Sequence, residues 1–194
     1  MPRKKTVNAF AVVPFPSKEL FLQRAISLTD NILNEELTRQ SGLLGEILIR
    51  KGLTVSFAES CTGGLVCKSL TDNAGSSNYF KGGIVAYHDE VKIIALGVKE
   101  ETLLKQGAVS AECAEEMVQG LERLFHTDIF GSVTGIAGPD GGTADKPVGT
   151  VWFSVSINRK IETGMKLFDG NREEVRFKSA IYMMKMILER ITEV

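Results

Sequence analysis

The chain has 194 residues and a formal charge of −1, from 23 Lys+Arg against 24 Asp+Glu. This length suits one domain or a domain with a tail, and the near-neutral balance argues against a broad nucleic-acid surface while leaving room for a local anion pocket. With 43% apolar residues the composition is ordinary and globular. No apolar run approaches the ~18–20 residues that span a bilayer, and Cys61, Cys67, Cys113, His88 and His126 make neither a disulfide framework nor a metal-ligand spacing.

Pro2, Pro14 and Pro16 mark a loose start in which Arg3, Lys4 and Lys5 precede a short apolar stretch. Pro14 cuts that stretch and no small-residue cleavage site follows, which points to the cytoplasm. From Ser17, a candidate N-cap, Leu20, Phe21, Ala25, Leu28, Ile32 and Leu37 recur at helical spacing. Gly42 is expected to interrupt this helix. Leu43, Leu44, Ile47 and Leu48 then form a second short segment, stopped at Gly52. Residues 53–58 read as a buried strand, 65–70 as a helix, 82–87 as a strand and 89–96 as a short helix. Ser110 caps a helix whose apolar face is Ala114, Met117, Val118, Leu121, Leu124 and Phe125. Residues 129–135 read as a strand and 138–147 as a Gly/Pro/Asp loop. Residues 148–157 and 161–168 form a hairpin turned at 158–160. Asn171 caps the last helix, with Glu174 completing a capping-box variant. Strands interleaved with helices, ending in a hairpin, predict a mixed sheet between helical layers.

Four segments stand out for chemistry. Glu59-Ser60-Cys61-Thr62-Gly63-Gly64 lies where a buried strand meets a helix, whose free backbone N–H groups suit an anion or oxyanion. Its plain alternative is a capped turn. The segment is neither a nucleophile elbow nor a P-loop. Gly82–Tyr87 followed by Lys92 places a tyrosine and a lysine at a strand end, an aromatic plug and surface charge unless they meet Ser60. A serine needs a base, and with two badly spaced histidines a lysine is the natural substitute. Residues 134–142 and 146–150 are rich in glycine: six of the 19 glycines fall between Gly131 and Gly149. The segment is either a flexible loop or a backbone cradle for ribose or phosphate. Arg172 and Arg176 share a helical face at a helix start. They form either a surface salt-bridge pattern or a phosphate clamp.

Taken in order, ESCTGG (59–64), GGIVAY with Lys92, TGIAGPDGG (134–142), KPVGTV (146–151) and Arg172 with Arg176 resemble the CinA C-terminal domain family, over roughly residues 43–191. The resemblance implies a three-layer α/β/α sandwich with a mixed, mostly parallel five-stranded sheet. It divides the chain into an N-terminal extension, 1–40, and a CinA-like amidohydrolase domain, 41–194. The larger N-terminal domain of full-length family members has no counterpart here, so its cofactor-related activities are not carried over. The implied reaction is hydrolysis of the carboxamide of nicotinamide mononucleotide to nicotinate mononucleotide and ammonia, within pyridine-nucleotide recycling. The implied catalytic set is Ser60 as nucleophile, Lys92 as its partner and Tyr87 beside them. Thr62, Gly63, Gly64, Ser77, Thr134, Gly135, Gly138, Arg172 and Arg176 are the expected substrate contacts, with the oxyanion held by backbone N–H groups of residues 62–64. No cofactor or metal is expected, no nucleic acid or membrane partner, and a homodimer. Three other readings stay open: Cys61 as nucleophile with Lys92 and Glu59, a nucleotide-binding module without catalysis, and an NAD-dependent redox enzyme, for which the glycine fingerprint is missing.

Overall fold

The computed structural model describes the backbone of residues 18–192 and side chains from residue 28. The expected cap at Ser17 and the side chains of Leu20, Phe21 and Ala25 lie outside the described residues. The described residues form six α-helices and five strands in the order α1 (Lys18–Lys51), β1 (Val55–Glu59), α2 (Leu65–Thr71), β2 (Phe80–Val85), α3 (Asp89–Leu96), α4 (Glu100–Gln106), α5 (Ala111–Leu124), β3 (Ile129–Gly135), β4 (Thr150–Ile157), β5 (Lys160–Leu167) and α6 (Arg172–Thr192).

The strands form one sheet in the order β2-β1-β3-β4-β5. β1 pairs in parallel with both β2 and β3, and β4 pairs antiparallel with β3 and β5. The sheet is therefore mixed, as expected. β4 alone runs against the other strands, while the four pairings divide evenly between the two kinds. The β4–β5 turn follows from Asn158 and Arg159, both left-handed (φ 53° and 62°), the backbone that suits a right-twisted two-residue hairpin.

Helices cover both faces. α1, α2 and α6 pack together on one, α3, α4 and α5 on the other. β1 is buried along its whole length, so its alternating side chains feed two cores. Phe57 joins Leu44, Leu48 and Met183 on one side, and Ala58 joins Met117 and Leu121 on the other. Gly131 of β3 makes room for Phe57, since a Cβ there would come 2.6 Å from its ring.

Strand limits shift by up to two residues, which leaves Tyr87 beyond β2, and Leu124 is exposed rather than on an apolar face. Two larger features also differ from the sequence reading. α1 runs unbroken through Gly42. A single glycine weakens a helix by only about 1 kcal/mol, and packing against α6 offsets it. Here Leu37, Leu44 and Leu48 are buried in the core that α6 shares. α4 carries no buried residue, so it has no apolar stripe by which the sequence could announce it.

The α1–α6 contact is also ionic. Arg39 and Lys185 bond Glu36 at 2.8 and 2.9 Å and, with Gln40, hold its carboxyl down to about 2 from an ordinary 4.5. A depressed folded-state value stabilises the fold above the unfolded value and loses that effect as pH falls through the folded one. The stability difference between the wild type and Glu36→Gln should therefore be full above pH 4.5 and shrink as pH approaches 2. Urea unfolding across that range checks it; a difference independent of pH would contradict the assignment.

Candidate active site

β1 ends on Glu59, which is fully buried. Its Oε2 accepts from the N–H groups of Gly64 (2.9 Å) and Val66 (3.1 Å), and its Oε1 from that of Cys67 (2.8 Å). These are the donors that the first turn of α2 would otherwise leave unpaired. A buried carboxylate is tolerated because three charge-assisted bonds and the helix dipole replace its hydration. The chain reaches this arrangement through two consecutive left-handed residues, Gly63 (φ 61°) and Gly64 (φ 93°), a conformation that disfavours side chains.

This corrects one expectation. Gly63 and Gly64 serve the turn, and their N–H groups are taken, by the Ser60 carbonyl (3.0 Å) and by Glu59. The N–H groups of Cys61 and Thr62 bond no backbone carbonyl among the described residues. Of the two, Cys61 lines the Ser60 cavity, whereas Thr62 is fully buried and does not.

Ser60 follows the end of β1, its N–H donating to the Val133 carbonyl at 2.9 Å. Its side chain opens into a cavity of about 260 Å³ at the carboxyl ends of β1, β2 and β3. β1 connects to one side of itself and β3 to the other, so the cavity lies at the topological switch point, where α/β sheets place ligands. The cavity brings together Ser60, Tyr87, Lys92, Thr134, Gly135, Gly138 and Arg172 from the expected set, and adds Asp89. Lys92 is 1% exposed. Its Nζ donates to the Tyr87 carbonyl (3.2 Å) and to Asp89 Oδ1 (3.1 Å). The Ser60 hydroxyl bonds no other protein group among the described residues.

α6 supplies cross-braces. Its start is capped as expected: Asn171 Oδ1 accepts from the N–H groups of Glu173 and Glu174, and Glu174 accepts in return from the Asn171 N–H. This positions Arg172, whose Nη1 donates to the Gly138 carbonyl and Nη2 to the Tyr87 hydroxyl, both at 2.7 Å. Arg176 instead donates to the Thr62 carbonyl (2.8 Å from Nη2) and faces a neighbouring groove rather than the Ser60 cavity. The two arginines therefore hold two different loops and do not form a single clamp.

Three further expected contacts play other parts. The Thr134 hydroxyl donates to the Ala108 carbonyl at 2.7 Å and backs the cavity wall. Thr62 is fully buried, its hydroxyl has no partner among the described residues, and it does not line the Ser60 cavity. Ser77 is exposed on a single 3-10 turn (Ser76–Asn78) ahead of β2, with the strand's length between it and Tyr87, and lies outside the cavity. The sequence reading missed the roles of Glu59 and Asp89. Asp89 stands three residues before Lys92 on a helix, a spacing that does signal a pair.

The cysteines are poor nucleophiles. Burial pushes the Cys61 thiol up to about 12, with nearby Glu59 adding to it. Cys67 is raised by burial and the Glu59 carboxylate, and Cys113 by burial to about 12. Cys61 lines the same cavity as Ser60 and Lys92, but the Glu59 carboxylate of a Cys61-Lys92-Glu59 arrangement is taken up by the start of α2.

The family model for the CinA C-terminal domain matches residues 35–191. A CinA-like protein of Desulfotalea psychrophila is 42% identical over 178 residues, 90% of this chain and 43% of the relative. Another, of Endomicrobium trichonymphae, is 41% identical over 182 residues, 89% of this chain and 42% of the relative. The chain spans less than half the length of these curated relatives. Among solved structures, the competence damage-inducible protein A of Klebsiella pneumoniae superposes with a TM-score of 0.78 at 35% identity, covering 80% of this chain and 97% of that one. The competence/damage inducible protein CihA of Agrobacterium tumefaciens gives 0.76 at 36% identity, covering 79% and 94%.

The Glu59 cap is directly testable. Glu59→Gln keeps the shape but turns an acceptor towards backbone donors into an NH2 group. It should lower unfolding stability by about 2–3 kcal/mol in urea. A loss below about 0.5 kcal/mol would mean that the helix start does not depend on the carboxylate.

Proposed function

Because the chain belongs to the CinA C-terminal domain family, we propose that it is a nicotinamide-nucleotide amidase. It hydrolyses the carboxamide of nicotinamide mononucleotide to nicotinate mononucleotide and ammonia. The observation that carries this reading is the meeting of Ser60 and the buried Lys92 in one small cavity beside Arg172.

Ser60 attacks the carboxamide carbon as unprotonated Lys92 takes its hydroxyl proton. The tetrahedral oxyanion is held by the N–H group of Cys61, next to the nucleophile. The proton then passes from Lys92, or from the Tyr87 hydroxyl next to Arg172, to departing ammonia. Water attacks the acyl-enzyme, the same base accepts its proton, and as the ester bond breaks the base returns that proton to the Ser60 oxygen. Arg172 has three N–H donors beyond the two bonded to Gly138 and Tyr87. With the backbone at Gly135 and Gly138, it is the group in the cavity suited to the substrate phosphate. The closeness of Arg172 to both the Tyr87 hydroxyl and the glycine loop would let phosphate binding organise the catalytic side of the cavity. The enzyme would act in cytoplasmic pyridine-nucleotide recycling on a mononucleotide anion, with no role for nucleic acid.

Ser60→Ala and Lys92→Ala should each lower ammonia release from the mononucleotide by about 10³-fold or more, Ser60→Ala while leaving urea unfolding unchanged. Near-normal release from Ser60→Ala would overturn the nucleophile, and nucleotide binding without ammonia release by the wild type would leave a binding module. Arg172→Ala should raise KM for the mononucleotide about 10-fold or more and hardly change that for free nicotinamide, which has no phosphate.

A further inference from the structure

The geometry points to Asp89 as a positioning residue that, with the Tyr87 carbonyl, aims the lone pair of Lys92 at the nucleophile. The inference rests on the Ser60–Lys92 reading above and adds a third member to it.

Lys92 lies on the first turn of α3, and Asp89 opens that helix. His88 caps it, its Nδ1 accepting from the Glu90 N–H at 3.3 Å, which fixes where the Asp89 backbone sits. Asp89 is half-exposed and lines the Ser60 cavity, whereas Lys92 is buried. The Lys92 nitrogen has two fixed acceptors, Asp89 Oδ1 at 3.1 Å and the Tyr87 carbonyl at 3.2 Å. A neutral amine has two N–H bonds and one lone pair. When both N–H groups are committed to these acceptors, the lone pair is left for the remaining direction. Lys92 lines the same cavity as Ser60, and we take the cavity as that direction.

An amine on a four-carbon stem would otherwise rotate freely about its last bond and present an N–H to the serine as often as its lone pair. Proton transfer from the Ser60 hydroxyl then fills the third position. The ammonium so formed has three donors: Asp89, the Tyr87 carbonyl, and the reacting oxygen or departing nitrogen. Asp89 therefore orients the base before the transfer and stabilises the cation after it, the logic of a base held by a third group.

Asp89→Ala and Asp89→Asn separate this from a structural role. The amide oxygen of asparagine still accepts from Lys92, whereas alanine offers nothing. Two readouts are needed. The first is steady-state ammonia release from nicotinamide mononucleotide. The second is the rate at which phenylmethanesulfonyl fluoride labels Ser60, located by mass spectrometry. In that reaction the serine oxygen bonds to sulfur, fluoride leaves and the base takes the proton, so it reports the Ser60–Lys92 pair without any nucleotide.

Asp89→Ala should lower kcat about 10²-fold with KM within about twofold, and slow Ser60 labelling to a similar degree. Asp89→Asn should keep both rates within about tenfold of the wild type. Both variants should unfold at the wild-type urea midpoint. Labelling of Asp89→Ala within about threefold of the wild type overturns the inference. So does an equal loss in both variants, or a wild-type Ser60 that the reagent does not label. If labelling follows the expected order but no ammonia is released, Asp89 retains its role and the proposed reaction fails.

Discussion

The carboxylate of Glu59 is the interaction on which the site depends. It is fully buried at the end of a fully buried strand, and three backbone N–H groups at the start of α2 bond it within 3.1 Å. Strand and helix are thereby locked at one angle, and the residues between them have little freedom. Ser60 is fixed on one side by Glu59 and on the other by its own bond to the Val133 carbonyl. A nucleophile needs that precision, since misplacement by an ångström can cost orders of magnitude in rate. The same carboxylate takes the N–H groups of Gly64, Val66 and Cys67 and leaves Cys61 as the residue after the serine that lines the cavity.

Around that fixed point the sheet topology collects the other groups. β1 lies between β2 and β3, so the segments after these three strands converge. The segment after β2 carries Tyr87, Asp89 and Lys92, and that after β3 carries the glycine loop. Two arginines one turn apart on α6 then brace them. Arg172 joins Tyr87 to Gly138, and Arg176 holds the Thr62 carbonyl. The cation that faces the cavity and the cation that steadies the serine turn thus come from one capped helix. The Asn171–Glu174 cap couples the fold's last helix to its site.

Much of this was legible in the amino-acid order because the signals were local. The α3 and β3 limits, the Ser110 cap with its bond to the Cys113 N–H, the Asn171 cap and the late hairpin each follow from a period or from a capping residue. The grouping of Ser60, Tyr87, Lys92, Thr134 and Arg172 came from the resemblance to a family, and the cavity brings them together. What stayed hidden was set by tertiary packing. The continuity of α1 through Gly42 depends on α6, far along the chain. Glycines 63 and 64 look the same whether they admit a ligand or shape a turn, and only the Glu59 bonds decide for the turn. Ser77 precedes β2 while Tyr87 follows it, so the strand separates them to opposite ends of the sheet.

The central claim is that Ser60 carries the acyl group. The most direct measurement is to quench the protein during turnover of nicotinamide mononucleotide, digest it and locate the adduct by mass spectrometry. The account predicts the nicotinate-mononucleotide acyl mass on the peptide bearing Ser60, assigned by fragmentation to the serine oxygen. The same mass on Cys61 would contradict it.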